Sequence, residues 1–171
     1  MPRKVSNWLV ASCAVVVAGA AQAQEFDGAY AGVLARNNFN VGGNIDVGFG
    51  AFAGYNMDVG GGVVLGVEGE VDYDPDQPSP PFGGSVWSGG ADDVTGTANL
   101  RVGTEVGGTL LYGKAGAGYS SIGDWVWGVG AGVDVPVAGD FFVRGEFQRL
   151  DTFTAPVPER YSAKVGVGMQ F

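Results

Sequence analysis

YSAKVGVGMQF, residues 161–171, splits into two chemistries when read at every second position. Tyr161, Ala163, Val165, Val167, Met169 and Phe171 make one set; Ser162, Lys164, Gly166, Gly168 and Gln170 make the other. Successive side chains of a strand point to opposite faces, so the pattern predicts a ribbon with one greasy face and one small, polar face. A single ribbon of this kind cannot hide its own edges. Its fate depends on how often the pattern recurs in the rest of the chain.

It recurs seven times. Further alternating segments bounded by turn signals are predicted at about 26–39, 45–56, 63–73, 94–106, 109–120, 125–137 and 141–151. In the third, Val63, Leu65, Val67, Val71 and Tyr73 oppose Val64, Gly66, Glu68, Glu70 and Asp72. In the sixth, Trp125, Trp127, Val129, Ala131, Val133 and Val135 oppose Gly128, Gly130, Gly132 and Asp134. Met57–Gly62, Gly107–Gly108 and Ala138–Asp140 read as turns, and paired glycines suit the positive φ of a tight hairpin. Residues 74–93 hold Pro75, Pro78, Pro80 and Pro81, so this long connection must lie outside any sheet.

The start of the chain predicts its compartment. Arg3 and Lys4 precede an apolar run from Trp8 to Ala18, and Ala21-Gln22-Ala23 is a small-x-small cleavage site. Residues 1–23 are therefore expected to be a cleaved secretory leader and residues 24–171 a single barrel domain. The run is too short for a membrane-spanning helix. Cys13, the only cysteine, lies inside the leader with Val15, Val16 and Val17 after it, which argues against a lipid-modified start. Without the leader there is no thiol for a disulfide or a thiolate metal site.

The whole chain carries a formal charge of −9, and without Arg3 and Lys4 seven basic residues face 18 acidic ones. Such a surface repels phosphate backbones, so nucleic acid is not an expected partner. Glycine is abundant at 32 residues, but it recurs inside valine- and aromatic-rich runs rather than in a polar, disordered tract. If residues 24–171 live in a membrane, they must do so as a closed sheet.

Alternation alone does not say which face is inside; three other features choose. Predicted connections two, four and six are short, whereas one, three and seven are longer, as in outer-membrane barrels; the fifth, short on the long-loop side, is the exception. About ten residues rising roughly 3.3 Å each at a tilt near 40° span about 25 Å, the height of such a barrel's apolar band. The aromatics of the apolar set then fall into two girdles. Tyr73, Tyr119, Trp125, Trp127 and Tyr161 sit at the loop ends; Tyr55, Phe141 and Phe171 sit at the turn ends.

The expected fold is thus all-β, an eight-stranded antiparallel up-and-down transmembrane barrel. Eight strands leave a lumen just wide enough for side chains. Glycines at 116, 118, 128, 130, 132, 166 and 168 would make room for Arg101, Arg144, Tyr112 and Phe52 from across the barrel. Arg36, Arg101, Lys114, Arg144 and Lys164 are expected to pair there with Glu68, Glu70, Glu105, Asp134 and Glu146, because charges removed from water need partners. Such a network specifies and plugs the barrel; read functionally, the same residues would line an ion path.

Phe49–Tyr73, Ala98–Ser120, Trp127–Asp151 and the terminal strand resemble, in order, the strands of small opacity-type, OmpA-like outer-membrane proteins. The resemblance implies an integral protein of the Gram-negative outer membrane, a porin-like surface antigen with structural or adhesive roles. It implies contact with outer-membrane lipids and lipopolysaccharide, and with the barrel assembly machinery through a terminal aromatic residue, Phe171. An extracellular partner would come through the loops, although the Pro-rich third connection and the short fifth depart from the family pattern. The chain is expected to stop without the peptidoglycan-binding domain of full-length OmpA-type proteins.

Catalysis is not expected. Histidine is absent, so no Ser-His or His-Asp centre can form, and structural pairing explains Glu68, Glu70 and Asp72 better than a carboxylate-only hydrolase does. No cofactor or metal is expected either. Asp72, Asp74 and Asp76 have the opening spacing of a calcium loop, but Gln77 and Gly83 stand where its glycine and bidentate glutamate belong; an acidic loop mouth, where divalent ions could collect, is the plainer reading. Gly42-Gly43 and Gly60–Gly62 precede no helix and are not phosphate cradles. Trp87, in the long connection, would either meet a partner or fold over the barrel mouth. Two competing readings remain at this point: a narrow porin-like channel for ions or small solutes, and a soluble periplasmic ligand-binding barrel.

Overall fold

The computed structural model describes residues 26–39, 45–75, 93–121, 123–153 and 160–171. Eight strands account for nearly all of them: β1 (Gly28–Phe39), β2 (Ile45–Gly60), β3 (Val63–Asp74), β4 (Asp93–Val106), β5 (Thr109–Ser120), β6 (Trp125–Ala138), β7 (Phe141–Thr152) and β8 (Arg160–Gln170). Each pairs antiparallel with its neighbours in sequence, and β8 returns to β1, so the sheet closes as the alternation predicts. The seam runs from Tyr30↔Gln170 to Phe39↔Tyr161. Closure leaves no strand edge unpaired.

The two faces are inverted relative to a soluble barrel. Leu100, Val33, Phe49 and Val67 are more than half exposed, whereas Arg144, Lys164 and Asp134 are each only 1% exposed. Apolar side chains cover the outer wall and charged ones fill the lumen, an arrangement stable only where the outer wall meets lipid. This inversion rules against the soluble periplasmic barrel.

The structure corrects one predicted turn and adds irregularities at two places. Met57–Gly62 reads as a turn in sequence, yet β2 runs on to Gly60 and the turn is only Gly61–Gly62. Met57 and Val59 keep the outward alternation, and a bulge between Asp58 and Gly60 absorbs the mismatch. A second irregularity lies between Pro136 and Ala138, where proline has no N–H for the ladder. Gly107 and Gly108, with φ of 60° and 76°, turn tightly between β4 and β5 in a backbone region that side chains with a Cβ disfavour.

These turns share one end of the barrel, together with Phe26 and Phe171; the connections spanning residues 40–44, 75–92, 121–124 and 153–159 leave from the other. The leader, Trp87 and Asp76 lie outside the described residues, as do the other predicted loop features within 76–92 and 154–159.

The packed lumen as candidate functional site

Inward-facing positions of β1 and of β3 to β8 bring together six cations and six carboxylates in one connected network. Its centre is Glu68, 2% exposed on β3. Glu68 Oε2 accepts hydrogen bonds from Arg144 Nη1 at 2.6 Å, Tyr30 Oη at 2.9 Å and Arg101 Nη1 at 3.2 Å. Lys114 Nζ stands 3.5 Å from Oε1. Asp134 holds Arg144 as a two-pronged fork, with Nε at 2.8 Å and Nη2 at 2.9 Å, and takes Arg101 Nη2 at 2.8 Å. Fork geometry makes these the strongest kind of side-chain pairing.

Toward the loop end, Lys114 joins Glu70 at 2.8 Å and Glu146 at 2.7 Å. Lys164 pairs with Glu70 and reaches Asp72 at 3.4 Å. The chain of charges ends in Arg36, which contacts Asp72 at 2.9 Å and also Asp74, and in Arg160, which contacts Asp74 as well. Six formal positive and six formal negative charges leave the network neutral, so the acidic excess of the chain lies outside it.

Nine of the ten sequence-predicted lumenal charges are in this network: Arg36, Glu68, Glu70, Arg101, Lys114, Asp134, Arg144, Glu146 and Lys164. Glu105 is not. It faces the turn end, half-exposed, where its Oε1 accepts the backbone N–H of Phe26 at 3.1 Å, and among the described residues no ion pair reaches it. Asp72, Asp74 and Arg160 are members that sequence reasoning did not place there. Asp72 and Asp74, read in sequence as the start of an acidic loop mouth, are engaged by arginine and lysine. Glu68, Glu70 and Glu146 lie close enough together to surround a cation, but the ammonium of Lys114 already touches all three.

Toward the turn end the lumen is mostly apolar, with Asn56 and Gln170 also buried there. Tyr30, Leu34, Phe52 and Phe142 form one buried cluster, and Phe26, Val64, Leu110 and Tyr112 form another at the turn end. Phe26 precedes β1 and is 1% exposed, edge-on to Phe142 at 6.4 Å. Gln170 Nε2 donates to the Asp27 carbonyl at 2.6 Å, and Asp27 Oδ1 accepts the Asp58 N–H at 3.0 Å. The guanidinium carbon of Arg101 lies 3.7 Å from the ring centroid of Tyr112, and that of Arg144 lies 4.0 Å from that of Phe52, so the ionic and aromatic layers are joined by cation–π contacts.

The space for these rings comes from glycines directly opposite on adjacent strands. Tyr30 covers Gly54, Phe52 covers Gly32, Tyr112 covers Gly132 and Phe142 covers Gly168. A Cβ built on Gly168 would stand 2.8 Å from Phe142 Cε1 and closer still to its Cζ. Phe52 and Tyr112 therefore fill room made by a neighbouring strand, not by glycines across the barrel.

The predicted girdle residues all lie on the outer wall. Tyr119 meets Trp125 edge-on at 5.5 Å, and Tyr161 stacks on Phe147 at 6.0 Å; both contacts are near the loop end with Tyr73 and Trp127. Tyr55, Phe141 and Phe171 are exposed near the turn end. Phe49, 57% exposed and paired with Tyr73, is a loop-end aromatic absent from the predicted set.

Comparison with known proteins agrees with this architecture. Residues 9–171 match the family described as outer membrane protein beta-barrel domain. No curated protein matches the chain. Among solved structures, the attachment invasion locus protein Ail of Yersinia pestis is 17% identical, with a TM-score of 0.52 over 85% of this chain and 99% of that one. Neisserial surface protein A is 12% identical, with a TM-score of 0.52 over 84% and 96%. A de novo designed transmembrane β-barrel is 15% identical, with a TM-score of 0.50 over 86% and 98%. At these identities the likeness is one of fold, and the family is broader than the opacity-type, OmpA-like group that the strands resemble.

Proposed function

This chain belongs to the outer membrane protein β-barrel family and is integral to the Gram-negative outer membrane, and from that premise we propose that it serves envelope structure and surface display behind a plugged lumen. The observation that carries this reading is the neutral network of six cations and six carboxylates above an aromatic seal. A selective pore needs a continuous wet path and a net field along it; here charges are spent on each other. We assign the turn end to the periplasm and the loop end to the outside, following the rule for such barrels. Residues 1–23 are removed as a leader on this reading, the outer wall meets lipopolysaccharide, and the chain does no catalysis.

In planar bilayers the refolded protein is expected to stay silent across a wide range of salt concentrations. Reproducible, salt-dependent steps from the wild-type chain would replace this reading with a narrow porin-like channel. Phe171, 71% exposed beside the seam, is assigned as the signal read by the assembly machinery. Its backbone N–H donates to the Ala29 carbonyl, so the closed barrel holds its backbone rather than its ring. Deleting Phe171 is expected to lower outer-membrane levels in cells several-fold while leaving the denaturation midpoint of refolded barrel little changed. Equal loss of both would remove the assembly role.

A further inference from the structure

The seam between β1 and β8 is held by ten register pairs, against twelve between β1 and β2. It is also the one pair of neighbouring strands that no turn or loop connects. Just before β1, the chain folds back beneath the lumen. Gly28, at φ 110°, takes a backbone shape that side chains disfavour, and a Cβ built there would stand 3.0 Å from the Phe171 carbonyl oxygen. Phe26 then lies across the turn end. Its ring shares a buried cluster with Val64, Leu110 and Tyr112, and its N–H donates to Glu105 Oε1 at 3.1 Å. Glu105 stands next to the last residue of β4, on the wall opposite the seam. Close to the seam, the same segment is caught twice more. The Asp27 carbonyl accepts Gln170 Nε2 of β8 at 2.6 Å, and Asp27 Oδ1 accepts the Asp58 N–H of β2 at 3.0 Å.

We propose that residues 26–28 form a strap that locks the β1–β8 seam once the barrel has closed. The order follows from where the catches come from. Phe26 needs a pocket built by β3, β5 and β7, and Asp27 needs β2 and β8. These groups do not surround one lumen until β8 has paired. An interaction made after the folding barrier protects the native state by slowing unfolding, not by speeding folding. To part β1 from β8, the strap must leave its pocket or release Gln170, so the seam draws strength from the opposite wall. The inference uses the closed barrel alone and stands apart from the choice between display and conduction.

The test uses the mature chain, residues 24–171, refolded in detergent micelles, with heat-modifiable migration on a gel following folded barrel. Phe26→Ala is expected to raise the unfolding rate about a hundredfold or more, and to change the folding rate less than about threefold. Gln170→Ala, the milder variant, is expected to raise the unfolding rate about tenfold. In both, amide hydrogen exchange is expected to quicken in 29–34 and 166–171, while β3, β4 and β5 stay as protected as in wild type. A covalent seam separates locking from packing. The mature chain has no cysteine of its own, and the register partners Ala31 and Met169 lie within disulfide reach. With Ala31→Cys and Met169→Cys oxidised, adding Phe26→Ala is expected to leave seam exchange at the level of the cross-linked parent. Folding slowed as much as unfolding is quickened would overturn the proposal. So would exchange that rises evenly around the barrel, or that rises just as much in the cross-linked chain.

Discussion

Glu68→Ala is expected to cost about 3–5 kcal/mol of barrel stability, the range for removing one partner from a buried ion pair. The magnitude follows from what is left behind. Arg144, Arg101 and Lys114 lose a shared carboxylate, Tyr30 loses its acceptor, and none of these groups can reach water without opening the barrel. Asp134 still holds Arg144 and Arg101, so the barrel has a remaining anchor and the loss has an upper bound. Denaturant midpoints in detergent or in vesicles measure it directly. Glu105→Ala is the matched control: the same residue type, inward in register, but among the described residues its side chain takes only the Phe26 N–H, and the change is expected to cost about 1 kcal/mol or less. Similar losses for the two glutamates would mean that the network is not what holds the lumen.

The second large effect concerns a residue with no side chain. Gly168→Ala is expected to destabilise by about 1–3 kcal/mol, because the new methyl group has no space beneath the Phe142 ring. Phe142→Ala is expected to cost about 3–5 kcal/mol through the cavity it leaves next to Phe26, Tyr30 and Phe52. Combined, the two should cost clearly less than the sum of the single changes, since removing the ring removes the clash. Additive losses would show that Gly168 is required for backbone reasons alone. The cycle separates packing from conformational freedom at one position.

How much of this was legible in the sequence depends on the range of the interaction. All eight strands follow from alternation, because a side chain's face is set by its own position in the strand. The exception is the end of β2, where Asp58 and Gly60 carry turn chemistry although Met57 and Val59 continue the outward set. Inward charges were legible as a class for the same reason. Which charge meets which was not: Arg160–Asp74 joins residues 86 apart across the lumen, and only the closed barrel brings them together. Glu105 shows the converse limit, since parity put it inside but its place at the end of β4 keeps it out of the ionic layer.

The glycine–aromatic covers needed one more piece of information. Glycines at inward positions suggested space, yet the ring that uses each space is fixed by strand register, which alternation leaves open by steps of two. Once Tyr112↔Gly132 and Phe142↔Gly168 are known to be opposite, the pairing is explained without any reach across the barrel. Arg149 was the least visible of all. In sequence it is one of two arginines in β7, and its outward position stands out only because every other basic residue after the leader turns inward.

Phe26 lies outside every strand yet inside the barrel, and with its neighbours it gives the turn end of the interior a floor. A floor of packed rings is insensitive to salt and protons, whereas ion pairs weaken as counter-ions screen them and as carboxylates titrate. Beyond the rings, the charges at Arg36, Asp72, Asp74 and Arg160 stand nearest the loop-end mouth. On the assigned orientation, the medium nearest these ion pairs is the one outside the cell. Changes of ionic strength or acidity there are expected to reach Asp74, the most exposed of the four side chains at 14%, before they reach Glu68, while the same changes in the periplasm would meet Phe26.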